Sequence, residues 1–109
     1  MLLPKTLKMG VHTFKIIYPY VFDNSTITGL CCLETKEIKI KRVTQTGEVQ
    51  SETNRLTCFF HEIIHVIDDL YCMGLIGKEC VKEDLIDALS EGVVQVLKEN
   101  PQLLDVLKQ

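Results

Sequence analysis

The sequence predicts an α+β domain, β-rich in its first half and helical in its second. Three observations carry that prediction. Residues 12–41 hold short apolar runs broken by Pro19 and by polar turns, residues 51–71 place apolar side chains at helical spacing, and residues 81–98 do so again. With 109 residues the chain suffices for one small domain, 1–109, and is too short for two. Apolar residues make up 46% of it, enough for a packed core and too many for a disordered chain.

Residues 12–18, His-Thr-Phe-Lys-Ile-Ile-Tyr, form the first predicted strand, closed by Pro19. Leu30-Cys31-Cys32-Leu33 and Glu37-Ile38-Lys39-Ile40-Lys41 flank Glu34-Thr35-Lys36 and read as a hairpin. In its second strand Ile38 and Ile40 face one side while Glu37, Lys39 and Lys41 face the other, the pattern of an edge or half-wet antiparallel strand. Residues 44–49 form a polar loop around Gly47. Ser51 is an N-cap, and the first helix runs to about Tyr71 and stops near Gly74. After a connector at 74–77, a second helix spans about 81–98, with Leu85, Ile86, Leu89, Val93, Val96 and Leu97 expected on its buried side. Asn100-Pro101 breaks it, and residues 102–109 are expected to form a last short helix. That helix is apolar enough to need cover. Docking on the far side of the core, lying near the cleft, and exchange between chains as an oligomer contact that keeps the site latent are the ways to supply it.

Net charge is −3 with acids and bases interspersed, so the basic excess of a nucleic-acid surface is absent. The N-terminal apolar stretch before Pro4 is too short for a secretory signal, and no run reaches the ~18 apolar residues of a membrane helix. No nucleic acid or membrane is expected as a partner, and a cytoplasmic location is expected. Five cysteines, an odd number with no Cys-x-x-Cys pair, read as reduced thiols, although Cys72 and Cys80 bracket the connector closely enough to pair if oxidised.

The chemistry concentrates in His61-Glu62-Ile63-Ile64-His65. On the first helix Leu56, Phe59, Phe60, Ile63, Ile67 and Leu70 form the expected core stripe. His61 and His65 lie one turn apart on a shared bearing away from it, as chelation of a metal by two imidazoles requires. Glu62 is beside them, placed to act as a general base on a water. The competing interpretation is an amphipathic helix whose solvated face carries two histidines. Two of the chain's three histidines fall in this frame, which favours the metal.

The His61-Glu62-x-x-His65 segment resembles the active-site helix of the zincin metallopeptidases, and the strand at 38–41 resembles their upper-rim edge strand. The resemblance implies one Zn2+ per chain, a third protein ligand, and a protein or peptide substrate hydrolysed with Glu62 as base. No histidine follows in residues 66–109, so the third ligand is acidic and comes from the second helix, the gluzincin arrangement, covering residues 51–97. Glu83, Asp84, Asp87 and Glu91 compete for it. Glu83 is nearest the apolar border, in the first turn, and with Asp87 resembles the gluzincin Glu-x-x-x-Asp, whose Asp orients a zinc histidine. Glu91 has Gly92 beside it, which permits close helix approach. The segment 89–101 is also similar to the end of small single-domain phage and mobile-element proteins distantly related to ImmA/IrrE-type metallopeptidases. A non-catalytic or latent zinc module acting through a protein partner is the alternative, because a chain this short has little left for specificity pockets.

Five further residues have weaker claims. Cys58 lies one turn before His61 and is either a fourth ligand, which would close the site, or a small buried hydrophobe. Asp69 is placed to fix His65. Tyr71, His12 and Arg55 are the candidate donors for stabilising a tetrahedral oxyanion, and the sequence does not choose among them.

Overall fold

A computed structural model describes residues 3–24, 26–44, 46–74, 76 and 82–108. The strands are β1 (Thr6–Met9), β2 (His12–Tyr20), β3 (Gly29–Cys32) and β4 (Glu37–Lys41). The helices are α1 (Glu52–Tyr71), α2 (Lys82–Glu99) and α3 (Gln102–Leu107). The protein is therefore α+β, as its sequence predicts, with a mixed four-stranded sheet ordered β1-β2-β4-β3.

β1 is the element without a sequence signal. It pairs antiparallel with β2 around Gly10, whose φ of 63° a residue with a Cβ rarely adopts. β2 continues through Pro19 to Tyr20 and does not stop before it. β3 and β4 form the predicted antiparallel hairpin, while β2 and β4 run parallel. β4 is consequently an interior strand, flanked by β2 and β3, and the expectation that 38–41 form a rim is corrected: the strand at that edge is β3. The alternation in β4 still identified its inner face, since Ile38 and Ile40 are fully buried, but Lys41, expected on the wet face, is buried as well.

Leu3, Phe14, Ile16, Ile38 and Ile40 from the sheet side meet Phe59 and Val66 of α1 to form the core. Each contributes about 1.5–3 kcal/mol when fully buried. α1 begins where Ser51 accepts a hydrogen bond from the Asn54 amide at 3.1 Å. Its core-facing side is centred on Phe59 and Val66, with Leu56, Ile63 and Leu70 partly buried beside them; the expected stripe is corrected, since Val66 joins the core, Phe60 is outside it and Ile67 turns outward. At its end, buried Asp68 accepts from the amides of Cys72 and Gly74 through its carbonyl and from the Ile76 amide through its carboxylate. Those bonds turn the chain back from α1 toward α2. Gly77 and Cys80 lie outside the described residues, and with them the rest of the connector and the Cys72–Cys80 pairing.

α2 packs on α1, outside the sheet–helix core. Its buried residues are Ile86, Ser90 and Val94, with the Ser90 hydroxyl donating to the Ile86 carbonyl at 2.7 Å. The expected buried side is corrected for four residues: Leu85, Leu89, Val93 and Val96 point outward. The reason is physical. α2 carries apolar residues on two adjacent faces, and Ser90, small enough for close helix contact, selects the narrower one. α3 forms as expected but has no buried residue, so it does not dock on the core. Among the described residues no helix is long and apolar enough to cross a membrane.

Candidate metal centre

α1 and α2 bring three predicted residues to one point. His61 Nε2 and His65 Nε2 are 3.1 Å apart. Glu83 Oε2 lies 3.1 Å from His61 Nε2, and Glu83 Oε1 lies 3.2 Å from His65 Nε2. The histidine rings are held between the helices, whereas the Glu83 side chain is 59% exposed and leaves the group open toward solvent. Of the four acids considered on α2, Glu83 is the one that joins both histidines in a metal-capable group among the described residues. Asp87, one turn later, accepts a hydrogen bond from His61 Nδ1 at 2.7 Å. Its carboxylate thereby fixes the ring and its tautomer.

That hydrogen bond decides the electrostatics. With the His61 proton on Nδ1, the lone pair on Nε2 faces His65 Nε2 and a Glu83 carboxylate oxygen. A proton on His65 Nε2, or a cation bound between the three atoms, satisfies these contacts. The dimensions suit a cation: a tetrahedral ion with bonds of about 2.0–2.1 Å spaces its ligands about 3.3–3.4 Å apart. Two imidazoles and one carboxylate are also a donor set suited to zinc.

Glu62 stands next to this group, against the edge strand. It is buried, and that burial pushes its carboxyl up from 4.5 to about 7. The carboxylates of Glu83 and Asp87 push the same way, while a His61 ring protonated on both nitrogens and a hydrogen bond from the Cys31 thiol oppose them. A carboxyl titrating near neutrality can both accept and return a proton at working pH. A cavity of about 310 Å³ opens here, lined by Gly29, Leu30, Cys31, His61, Glu62, His65 and Glu83.

Gly29 and Cys31 are the contributors the sequence reading did not single out. Two apart on β3, they face the same way, and nothing local says that α1 lies opposite. A Cβ on Gly29 would lie 2.9 Å from Glu62 Oε2 and 3.2 Å from its Cγ. Glycine is what lets the carboxylate sit against the strand. Gly29→Ala is expected to push the Glu62 carboxylate off the strand toward solvent and so lower its pKa; titration of that carboxyl by NMR in the two proteins checks it.

The other candidates lie elsewhere. Cys58 packs against the core, with its thiol 3.5 Å from Gln50 Oε1, and is not in the metal-capable group. Burial raises its pKa. Tyr71 is exposed, with its hydroxyl against Gly10; Arg55 donates to the Tyr18 hydroxyl at 3.2 Å; His12 stacks edge-on with Phe14. None of the three lines the cavity.

The two adjacent cysteines of β3 differ sharply. Burial, reinforced by the Glu62 carboxylate, pushes the Cys31 thiol up to about 12. Hydrogen bonds from Thr35 pull Cys32 below its ordinary value. Iodoacetamide at pH 8 is expected to label Cys32 well before Cys31. Peptide mapping by mass spectrometry checks this, and faster labelling of Cys31 would mean that it is not shielded beside Glu62.

The chain matches no protein-family model, no curated protein and no solved structure. The geometry above is therefore what bears on function.

Proposed function

We propose that this protein is a zinc-dependent metallopeptidase of minimal zincin-like design. The convergence of His61 Nε2, His65 Nε2 and the Glu83 carboxylate beside a buried glutamate is the observation that carries the proposal. His61, His65 and Glu83 would hold one zinc ion, and Asp87 orients His61. A bound zinc ion supplies Lewis acidity, polarising the substrate carbonyl and making water easier to deprotonate. Glu62 takes a proton from the attacking water as its oxygen bonds to the carbonyl carbon. When the carbon–nitrogen bond breaks, Glu62 returns that proton to the leaving amine. β3 ends the sheet beside the cavity, so an extended peptide can pair with its backbone there, as it cannot with interior β4.

The experiment is elemental analysis of protein never exposed to chelator, followed by a cleavage assay on an unfolded protein with Glu62→Gln as control. About one zinc per chain and cleavage that disappears with Glu62→Gln support the proposal. Zinc well below half an equivalent, or cleavage that survives the substitution, defeats it.

A second reading is a zinc module that acts through a protein partner without cleaving it. The observation in its favour is that Tyr71, His12 and Arg55 all lie away from the cavity, leaving no such side chain to steady an oxyanion among the residues lining it. One zinc per chain with no cleavage of any unfolded substrate would select it.

A further inference from the structure

The outward face of α2 has no role in the metal centre. Leu85, Leu89, Val93 and Val96 stand on it, 38%, 41%, 38% and 50% exposed. They recur at helical spacing along one stripe, and no charged residue falls inside that stripe between Leu85 and Val96. The stripe is not smooth. Ala88 and Gly92 leave a groove of about 370 Å³ between Leu89, Val93 and Val96. A side chain at Gly92 would meet nothing within 4 Å. α3 follows directly and is unburied throughout, adding Leu103, Leu104 and Leu107.

We infer that this α2–α3 face is the interface of a two-fold homodimer. Three features select a second copy of this chain as the occupant. The face carries knobs and a hole on the same helix. A two-fold pair needs just that, since each copy then seats a Leu89 or Val93 side chain in the groove at the other's Gly92. The stripe is uncharged, so two identical faces meet without like-charge repulsion. The area also fits. The exposed apolar side chains of α2 and α3 sum to roughly 600 Å² per copy, the top of what a monomer leaves open (about 300–600 Å²) and the lower end of the about 1,200–2,000 Å² in total that a stable pair buries. The interface goes beyond the proposed peptidase activity and requires no metal.

Sedimentation of the full 109-residue chain from about 1 to 100 µM tests it, with Leu89→Lys and Gly92→Leu alongside. The expected species is a closed dimer of twice 12.4 kDa. Leu89→Lys is expected to be monomeric with an unchanged far-ultraviolet circular dichroism spectrum. Gly92→Leu separates the interface from helix stability. Leucine in an exposed helix interior favours the helix over glycine, so the monomer's melting midpoint should rise. Filling the groove should meanwhile raise the dimer dissociation constant at least about tenfold. A wild-type chain monomeric at 100 µM overturns the inference, as does a ladder of larger species or a dimer that survives both substitutions. Unfolding of Leu89→Lys overturns it too, since Leu89 would then belong to the core.

Discussion

Glu83→Ala is expected to weaken zinc binding by about two orders of magnitude or more, while Glu91→Ala changes it by no more than about twofold. Glu83 supplies the oxygen that closes the three-donor group with His61 and His65. Glu91 is exposed and contributes nothing to that group. Asp87→Asn belongs between them. Loss of an outer partner that orients a ligating histidine costs about 10–100-fold in affinity. Competition of metal-free protein against a fluorescent zinc indicator measures all three. Equal losses for Glu83→Ala and Glu91→Ala would mean that Glu83 does not hold the metal in solution.

Glu62→Gln is expected to lower peptide turnover by about 10²–10⁴-fold, the range that a positioned general base contributes, with zinc affinity essentially unchanged. The same substitution has a second signature in metal-free protein. The folded carboxyl keeps its proton up to about pH 7, against an ordinary value of 4.5. Between those values the unfolded chain releases the proton and the folded one does not. Ionising Glu62 therefore costs the fold stability as pH rises through that window, and the cost stays constant above it. Glutamine removes the term. The stability advantage of Glu62→Gln over wild type should grow from about pH 4.5 to 7 and level off at roughly 3 kcal/mol. Urea titrations of chelator-treated protein at pH 5, 6, 7 and 8 read it out. Parallel curves for the two proteins would show that Glu62 is not ionising from a buried position.

Both expectations rest on a centre that was largely legible in one dimension. The His61–His65 spacing fixes two imidazoles on one helical face, because the α-helix repeat is a local property. Glu83 followed from helical phase, its first-turn position and its likeness to the gluzincin pattern, although spacing alone left Asp84, Asp87 and Glu91 open. What could not be read was the strand beside Glu62. Gly29 and Cys31 act there because β3 is the sheet edge facing α1, and strand order is a long-range property with no signature in a four-residue run.

The contrast extends to the whole chain. The sequence by itself determined the β-then-α order, the β3–β4 hairpin, the Ser51 cap and the span of α1, all set by capping, turn chemistry and apolar periodicity within a few residues of each other. The tertiary structure alone decided that β1 pairs with β2, that β4 is interior, and which face of α2 is buried. α2 is the clearest case. Its larger side chains made Leu85, Leu89, Val93 and Val96 look like core, yet the fold buries Ile86, Ser90 and Val94. Periodicity reports how apolar a face is. Which face is covered depends on how closely the neighbouring helix approaches, and a serine that lets α1 in close outweighs leucines that would hold it off.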